Sequence, residues 1–169
     1  MKNLLTVILL LTFVVISSSV ARAHCQIPCG IYDDPARFTE MREHVTTIEK
    51  SMVLIEALSA AEDKNMNQIV RWVINKENHA DELTEIVTFY FQAQRVKPAD
   101  PTDEEAFKEY TDQLVLLHQI TYNTMKAKQT TNLEYIETLR KLIDDFETLY
   151  LGEPAEHAHT HADGDTHTH

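Results

Sequence analysis

Residues 33–60 read DDPARFTEMREHVTTIEKSMVLIEALSA, and their apolar residues recur at alternating spacings of three and four. This spacing places the apolar residues on one face of an α-helix. Asp33 is suited to cap that helix, and Pro35 is compatible with its first turn. The segment therefore predicts a long amphipathic helix that ends between residues 60 and 64. Its predicted core-facing residues are Met41, Val45, Ile48, Met52 and Ile55.

Three further helical segments follow, separated by short breaks. Asn65 is suited to cap the second helix, and Pro98 and Pro101 stop it. The third and fourth helices are predicted to start at Thr-x-x-Glu capping boxes, and a glycine ends the fourth. The residues concerned are Thr102 with Glu105, Thr131 with Glu134, and Gly152.

Each of these segments carries its own apolar stripe, and no stretch shows the alternation of a strand. The predicted stripes are Ile69, Val73, Ala80, Leu83, Val87, Tyr90 and Phe91 in the second helix; Phe107, Tyr110, Leu114, Leu117, Thr121 and Met125 in the third; and Ile136, Leu139, Ile143, Phe146 and Tyr150 in the fourth. Four helices of similar length with short links predict an all-α fold, an antiparallel four-helix bundle over residues 35–152.

The two ends of the chain differ from the bundle. Residues 1–23 combine Lys2, an apolar run and a small-x-small ending, which predicts a cleaved signal peptide and an exported protein, periplasmic or extracellular. Residues 153–169 contain alternating histidines and no core-forming residues, which predicts a disordered His-rich tail. Alternating histidines can bind nickel, copper or zinc.

The charge of the chain excludes several classes of partner. Removal of residues 1–23 takes away Lys2 and Arg22 and no acidic residue, which leaves 13 basic and 27 acidic side chains and a formal charge of −14. This excess argues against nucleic acid and anionic membrane surfaces as partners. An anionic substrate would need local positive charge, for which Lys64, Arg71 and Lys76 are candidates.

The predicted cleavage leaves the sequence HCQIPCGIY, residues 24–32, at the start of the mature chain. His24 then offers a free α-amine and an imidazole, Cys25 a backbone amide and a thiolate, and Cys29 a second thiolate. Two nitrogens and two sulfurs in a plane suit a tetragonal, redox-active ion such as nickel or copper better than tetrahedral zinc. A disulfide between the two cysteines would close too short a loop to stabilise the chain much. Residues 24–34 are therefore interpreted as a metal hook.

This hook resembles the mature N-terminus of the nickel superoxide dismutases, His-Cys-x-x-Pro-Cys-Gly-x-Tyr. The matching residues are His24, Cys25, Pro28, Cys29, Gly30 and Tyr32. The resemblance implies a homohexamer of four-helix bundles with one nickel ion per subunit. It also implies the conversion of superoxide to oxygen and hydrogen peroxide through a Ni(II)/Ni(III) cycle.

The resemblance also implies roles for individual residues. His24, Cys25 and Cys29 would bind nickel, and Tyr32 would act in catalysis by gating and hydrogen-bonding the substrate. Glu40 matches an acidic residue that orients the histidine, and His79 falls where many relatives carry an arginine.

Two other functions stay open from the residues themselves. One is an exported metal carrier or sensor that uses the hook and the tail without turnover. The other is a thiol–disulfide oxidoreductase that works through Cys25 and Cys29. Members of that class usually carry the tighter CxxC motif at a helix start within a mixed fold.

Overall fold

The computed structural model describes residues 27–152, which form four helices and contain no strand. The helices are α1 (Asp34–Ala60), α2 (Met66–Glu85), α3 (Glu104–Gln129) and α4 (Glu134–Leu151), and α2 continues directly into a π-helical segment, Ile86–Arg95. The predicted all-α fold is confirmed. The predicted signal peptide, the first two hook ligands and the His-rich tail lie outside the described residues.

Contacts between the helices establish an antiparallel arrangement. Asp34, at the start of α1, contacts Tyr90 in the π segment and Tyr150 at the end of α4. Glu49, in the middle of α1, binds Arg140 in the first half of α4. α1 packs mainly against α2, and α3 packs mainly against α4. α1 also contacts α4, and α2 also contacts α3, so each of the four helices packs against two neighbours. No helix within residues 27–152 is both long enough and apolar enough to cross a membrane.

Three of the predicted helix boundaries are confirmed. The Asp33 carboxylate accepts a hydrogen bond of 3.1 Å from the backbone N–H of Ala36, and Asn65 accepts one of 3.2 Å from Gln68. Each bond satisfies an N–H that the helix itself cannot pair. Gly152 ends α4 at φ +81°, a left-handed conformation that costs glycine little.

The two predicted capping boxes are wrong. α3 is capped by the carboxylate of Asp103, while the hydroxyl of Thr102 donates to Asp100 at 2.8 Å. At the start of α4, Thr131 donates to Glu56 of α1 and does not cap its own helix. Before α3, Thr102 and Asp103 are both suited to cap the helix, and Asp103 does so. Before α4, the hydroxyl of Thr131 is already engaged by a residue of another helix.

The predicted core stripes differ in accuracy. The stripes of α1 and α4 are confirmed, because their central residues are fully buried. In α3 the buried face is instead Gln113, Leu117, Ile120, Thr124 and Ala127. The predicted Phe107 and Met125 are more than a third exposed, and so is Val73 in α2. α3 was misassigned because small and polar residues occupy much of its inner face, so hydrophobicity favoured a neighbouring face.

Lys76 of α2 binds the end of α3 from inside the bundle. Its ammonium donates to the carbonyls of Ala127, Lys128 and Thr130 at 3.1, 2.5 and 3.1 Å. These carbonyls lie at or just beyond the last turn of α3, where no further helical N–H is available. Burial lowers the pKa of Lys76, partly offset by the neighbouring Glu77. Lys76 is only 4 % exposed, so its proposed role in attracting an anion is wrong.

Replacing this buried cap will destabilise the protein. We expect Lys76→Met to lower the free energy of unfolding by about 2–3 kcal/mol, because three carbonyls lose a charged donor. The matched control is Lys108→Met, which removes an exposed lysine of α3 and should change stability by less than about 0.5 kcal/mol. Urea unfolding monitored by circular dichroism measures both, and equal effects would contradict the capping role.

Candidate metal centre

Cys29 lies in a tight turn that leads into α1. The N–H of Ile31 donates to the carbonyl of Pro28 at 3.2 Å, and Gly30 has φ +81°. This left-handed conformation is unfavourable for residues with a Cβ atom, so the turn requires glycine here. The Ile27–Pro28 peptide bond is cis. The turn presents Cys29 at the surface, where its thiol is accessible.

Tyr32 joins the hook to the bundle through its aromatic ring. The ring packs edge-on against Tyr90, with centroids 5.8 Å apart, and the Arg95 guanidinium lies 4.4 Å from its centroid. The cation–π contact and the aromatic pair both favour this ring position. The side chain keeps 39 % of its surface exposed, so its hydroxyl remains accessible from solution.

Gln94 connects both ends of the hook turn. Its amide nitrogen donates to the carbonyls of Phe89 at 2.7 Å and Ile27 at 3.4 Å, and its amide oxygen accepts from the Tyr32 hydroxyl at 3.4 Å. One side chain therefore contacts the chain before Cys29 and the tyrosine after it. The sequence offered no signal for this role, because an isolated glutamine near a helix end is common.

The π segment brings these partners to the hook. The N–H of Val96 donates to the carbonyl of Phe91, five residues earlier, at 2.8 Å. The wider turn of a π-helix changes the angular positions of residues after it, and such segments are frequent at functional sites. Tyr90, Gln94 and Arg95 all contact residues 27–34. Neither proline nor glycine marks this segment, so the sequence did not predict it.

The Asp34 carboxylate is the central contact beneath the hook. It accepts hydrogen bonds from Tyr90 at 2.5 Å, from Arg95 Nε at 2.9 Å and from Tyr150 at 3.0 Å, and it forms an ion pair with Arg95. Burial opposes ionisation of Asp34, yet these hydrogen bonds and the charge of Arg95 lower its pKa overall. Burial and the bond to Asp34 raise the pKa of Tyr90 to about 12. Asp34 is therefore a carboxylate and Tyr90 a neutral donor near pH 7.

An open depression of about 510 Å³ extends from the hook turn along α1 and the second helix. Pro28 borders one side of it, and Glu40 and His44 line it from α1. Glu40 forms an ion pair with Arg37, one turn earlier. Glu40 thus lines the same depression as Pro28 of the hook. Its contact with His24 stays a prediction, because that residue lies outside the described part of the chain.

His79 contacts a second histidine that the sequence did not indicate. Its Nδ1 lies 2.8 Å from Nδ1 of His44 and 3.3 Å from a carboxylate oxygen of Glu82. Burial lowers the pKa of His44, against an opposing effect of Glu82. Only the spacing of His79 and Glu82, three residues apart on one helix, was visible in the sequence.

The positive charges nearest the hook are not the ones predicted. Lys64 and Arg71 belong to the α1–α2 connection and the start of α2, at the end of the bundle opposite the hook. Arg37 borders the depression beside Pro28, and Arg95 lies against Tyr32. The sequence predicts an antiparallel bundle but does not show which basic side chains lie at the hook end; the packing of the helices decides this.

The described part of the hook suits a thiolate-binding metal. Cys29 is a soft ligand, exposed in a turn of defined conformation, and Tyr32 lies three residues further on. Nickel accepts thiolate and nitrogen ligands in tetragonal geometry. Fold and hook together describe a helical bundle with an exposed cysteine in a tight turn just before its first helix.

A family comparison identifies this class of protein. The family model of the nickel-containing superoxide dismutases matches residues 19–153. The chain belongs to this family, and it is a nickel-dependent superoxide dismutase, an oxidoreductase that converts superoxide to oxygen and hydrogen peroxide. The open alternatives of a carrier without turnover and a thiol–disulfide oxidoreductase are therefore set aside. A search of curated proteins and a search of solved structures each found no match.

Loss of the Asp34 charge will weaken the junction beneath the hook. We expect Asp34→Asn to lower the free energy of unfolding by about 2–3 kcal/mol at neutral pH, because the Arg95 charge loses its partner. The folded pKa of Asp34 is depressed, so its contribution is complete above its ordinary pKa of 3.8 and is lost as the pH falls through the lower folded value.

The measurement is urea unfolding between about pH 6 and pH 2, where the difference between parent and variant should shrink. The matched control is Asp33→Asn, which keeps a good helix cap and should cost less than about 0.5 kcal/mol. A pH-independent difference for Asp34→Asn would contradict the charge argument.

Proposed function

We propose that nickel is held by the amine and imidazole of His24, the amide nitrogen and thiolate of Cys25, and the thiolate of Cys29. The match of HCQIPCGIY to the family pattern supports this ligand set. The single observation that carries it in the structure is the exposed Cys29 in a glycine-dependent turn. The site needs His24 as the first residue, because only a free α-amine supplies the first nitrogen.

Bound nickel supplies the one-electron exchange, between Ni(II) and Ni(III), by which one superoxide is oxidised to oxygen and another is reduced to peroxide. The protein has to supply an approach for an anion and a route for the two protons that hydrogen peroxide needs.

Tyr32 is suited to bind substrate, because its ring is held by Tyr90 and Arg95 while its hydroxyl stays accessible. We assign Glu40 and His79 to the surroundings of the His24 imidazole, in line with the family resemblance.

The ligand set makes the activity depend on the mature N-terminus. One alanine added before His24 should lower superoxide removal and nickel content by at least about a hundredfold. Loss of a hydrogen-bond partner of a metal ligand already lowers metal affinity or activity by about 10- to 100-fold, and the added alanine removes a ligand itself. One alanine added after His169 is the matched control and should change neither quantity. Cys29→Ser should behave like the N-terminal extension, whereas Tyr32→Phe should keep nickel and lose part of the activity.

Export and signal cleavage at Ala23 are part of the same proposal. The mass of the mature protein measures the cleavage point directly, and nickel content by elemental analysis accompanies each assay. A mature chain that starts elsewhere yet keeps nickel and full activity would overturn the ligand set.

We propose that the protein assembles as a homohexamer, as the family resemblance implies. The N-terminal half of α2 supports an assembly surface, because its large apolar residues are exposed in one chain. Met66, Val70 and Ile74 are 60 %, 51 % and 52 % exposed, and their spacing places them along one side of the helix. Such a row is costly in water and is typical of surfaces that a second subunit covers.

Charges on this row should prevent assembly. Val70→Glu with Ile74→Glu is expected to shift the protein towards smaller species by native mass spectrometry, because carboxylates would be buried between subunits. Thr138→Glu, on an exposed position of α4, is the control and should leave the assembly intact. Hexamers that persist in the double variant would exclude this face as the interface.

A further inference from the structure

A second group of side chains suited to metal binding lies between α1 and α2, beside the depression that Pro28 of the hook borders. His44 comes from α1, and His79 and Glu82 come from α2, three residues apart and therefore on one side of the helix. The Nδ1 atoms of the two histidines are 2.8 Å apart. A carboxylate oxygen of Glu82 lies 3.4 Å from His44 Nδ1 and 3.3 Å from His79 Nδ1.

These distances are those of ligands around one small cation. Zinc binds imidazole nitrogen and carboxylate oxygen at about 2.0–2.1 Å in a tetrahedron, so its ligand atoms lie about 3.3 Å apart. Two sides of the observed triangle have that length, and the third, between the two Nδ1 atoms, is 2.8 Å. A point about 2.1 Å from all three atoms lies about 1 Å out of their plane, so one ion reaches tetrahedral spacing after the two Nδ1 atoms separate by about 0.5 Å, a shift that side chains make without movement of the helices.

The surroundings favour a divalent cation over a simple hydrogen-bonded cluster. The side chain of His44 is only 11 % exposed, whereas that of Glu82 is 53 % exposed, so the group has a buried inner wall and an open outer side. Two Nδ1 atoms that face each other can share one proton, but both can offer lone pairs to a cation.

We propose that His44, His79 and Glu82 form a second metal site, which binds one divalent late first-row cation, zinc above all, with water as the fourth ligand. Two histidines and a carboxylate with an open position are a known zinc ligand set. The absence of a thiolate from the three ligands separates this site from the nickel hook in chemistry. The site adjoins the depression that Glu40 and Pro28 border, since His44 and Glu82 both line it.

A cation at this site would fasten α1 to α2. The two histidines are 35 residues apart in sequence and belong to different helices, so the unfolded chain does not bring them together. A metal that binds the folded protein and not the unfolded chain stabilises the fold, and the unfolding temperature then rises with the logarithm of the free metal concentration. The histidines of residues 153–169 can also bind zinc. Because they are the same in every variant, they do not cause a difference between variants.

The test uses the full mature chain with Cys25→Ser and Cys29→Ser, so that hook thiolates do not compete for the metal. Zinc chloride is added to metal-free protein at pH 7, and unfolding is followed by circular dichroism. We expect the unfolding temperature of this parent to rise by at least about 4 °C at saturating zinc. His79→Ala and Glu82→Gln, both at partly exposed positions, should fold and should each lose most of that rise.

Matched controls remove a similar group elsewhere. His118→Ala removes an exposed histidine of α3, and Glu85→Gln removes a carboxylate one turn beyond Glu82; both should keep the full rise. Cobalt(II) added in place of zinc should give the visible bands of a tetrahedral ion in the parent and not in His79→Ala. No rise in the parent, or an equal rise in His79→Ala and the controls, would show that the three side chains only hydrogen-bond to one another.

Discussion

The Asp34 carboxylate joins three parts of the bundle at the point where the hook ends and α1 begins. It is the first residue of α1, and its partners are Tyr90 and Arg95 of the π segment and Tyr150 of α4. A carboxylate with several charge-assisted hydrogen bonds holds its partners in a narrow range of positions. Because Arg95 also lies against the ring of Tyr32, the same contact fixes the base of the hook. The described part of the hook thus gains a rigid support.

The two proposed metal sites differ in how the chain brings their ligands together. In the proposed nickel site, soft ligands lie close together on one short peptide, where thiolates and backbone nitrogens would surround nickel. The proposed site of His44, His79 and Glu82 instead depends on the packing of α1 against α2, and its hard and borderline ligands suit zinc.

Much of the fold could be predicted because local signals and burial agreed. In α1 the apolar stripe and the Asp33 cap point to the same helix, and in α4 the stripe agrees with the end at Gly152; the buried core confirms both stripes. Prediction failed in α3, where Gln113 and Thr124 face inward and Phe107 faces outward. It also failed for Thr131, because a hydroxyl that can cap its own helix can equally bind Glu56 of another. Hydrophobic periodicity cannot resolve a helix face whose buried positions are small or polar.

The sequence by itself determined the class of enzyme, the metal and the helical bundle, because these depend on residues that are neighbours along the chain or repeat with the period of a helix. The pattern of residues 24–32 that matches the family also belongs to this group. Only the tertiary structure decided that Gln94 and Arg95 support Tyr32, that Lys76 caps α3, and that His44 meets His79. These contacts join residues from separate helices, and their formation depends on the register and rotation of packed helices, which no local spacing specifies.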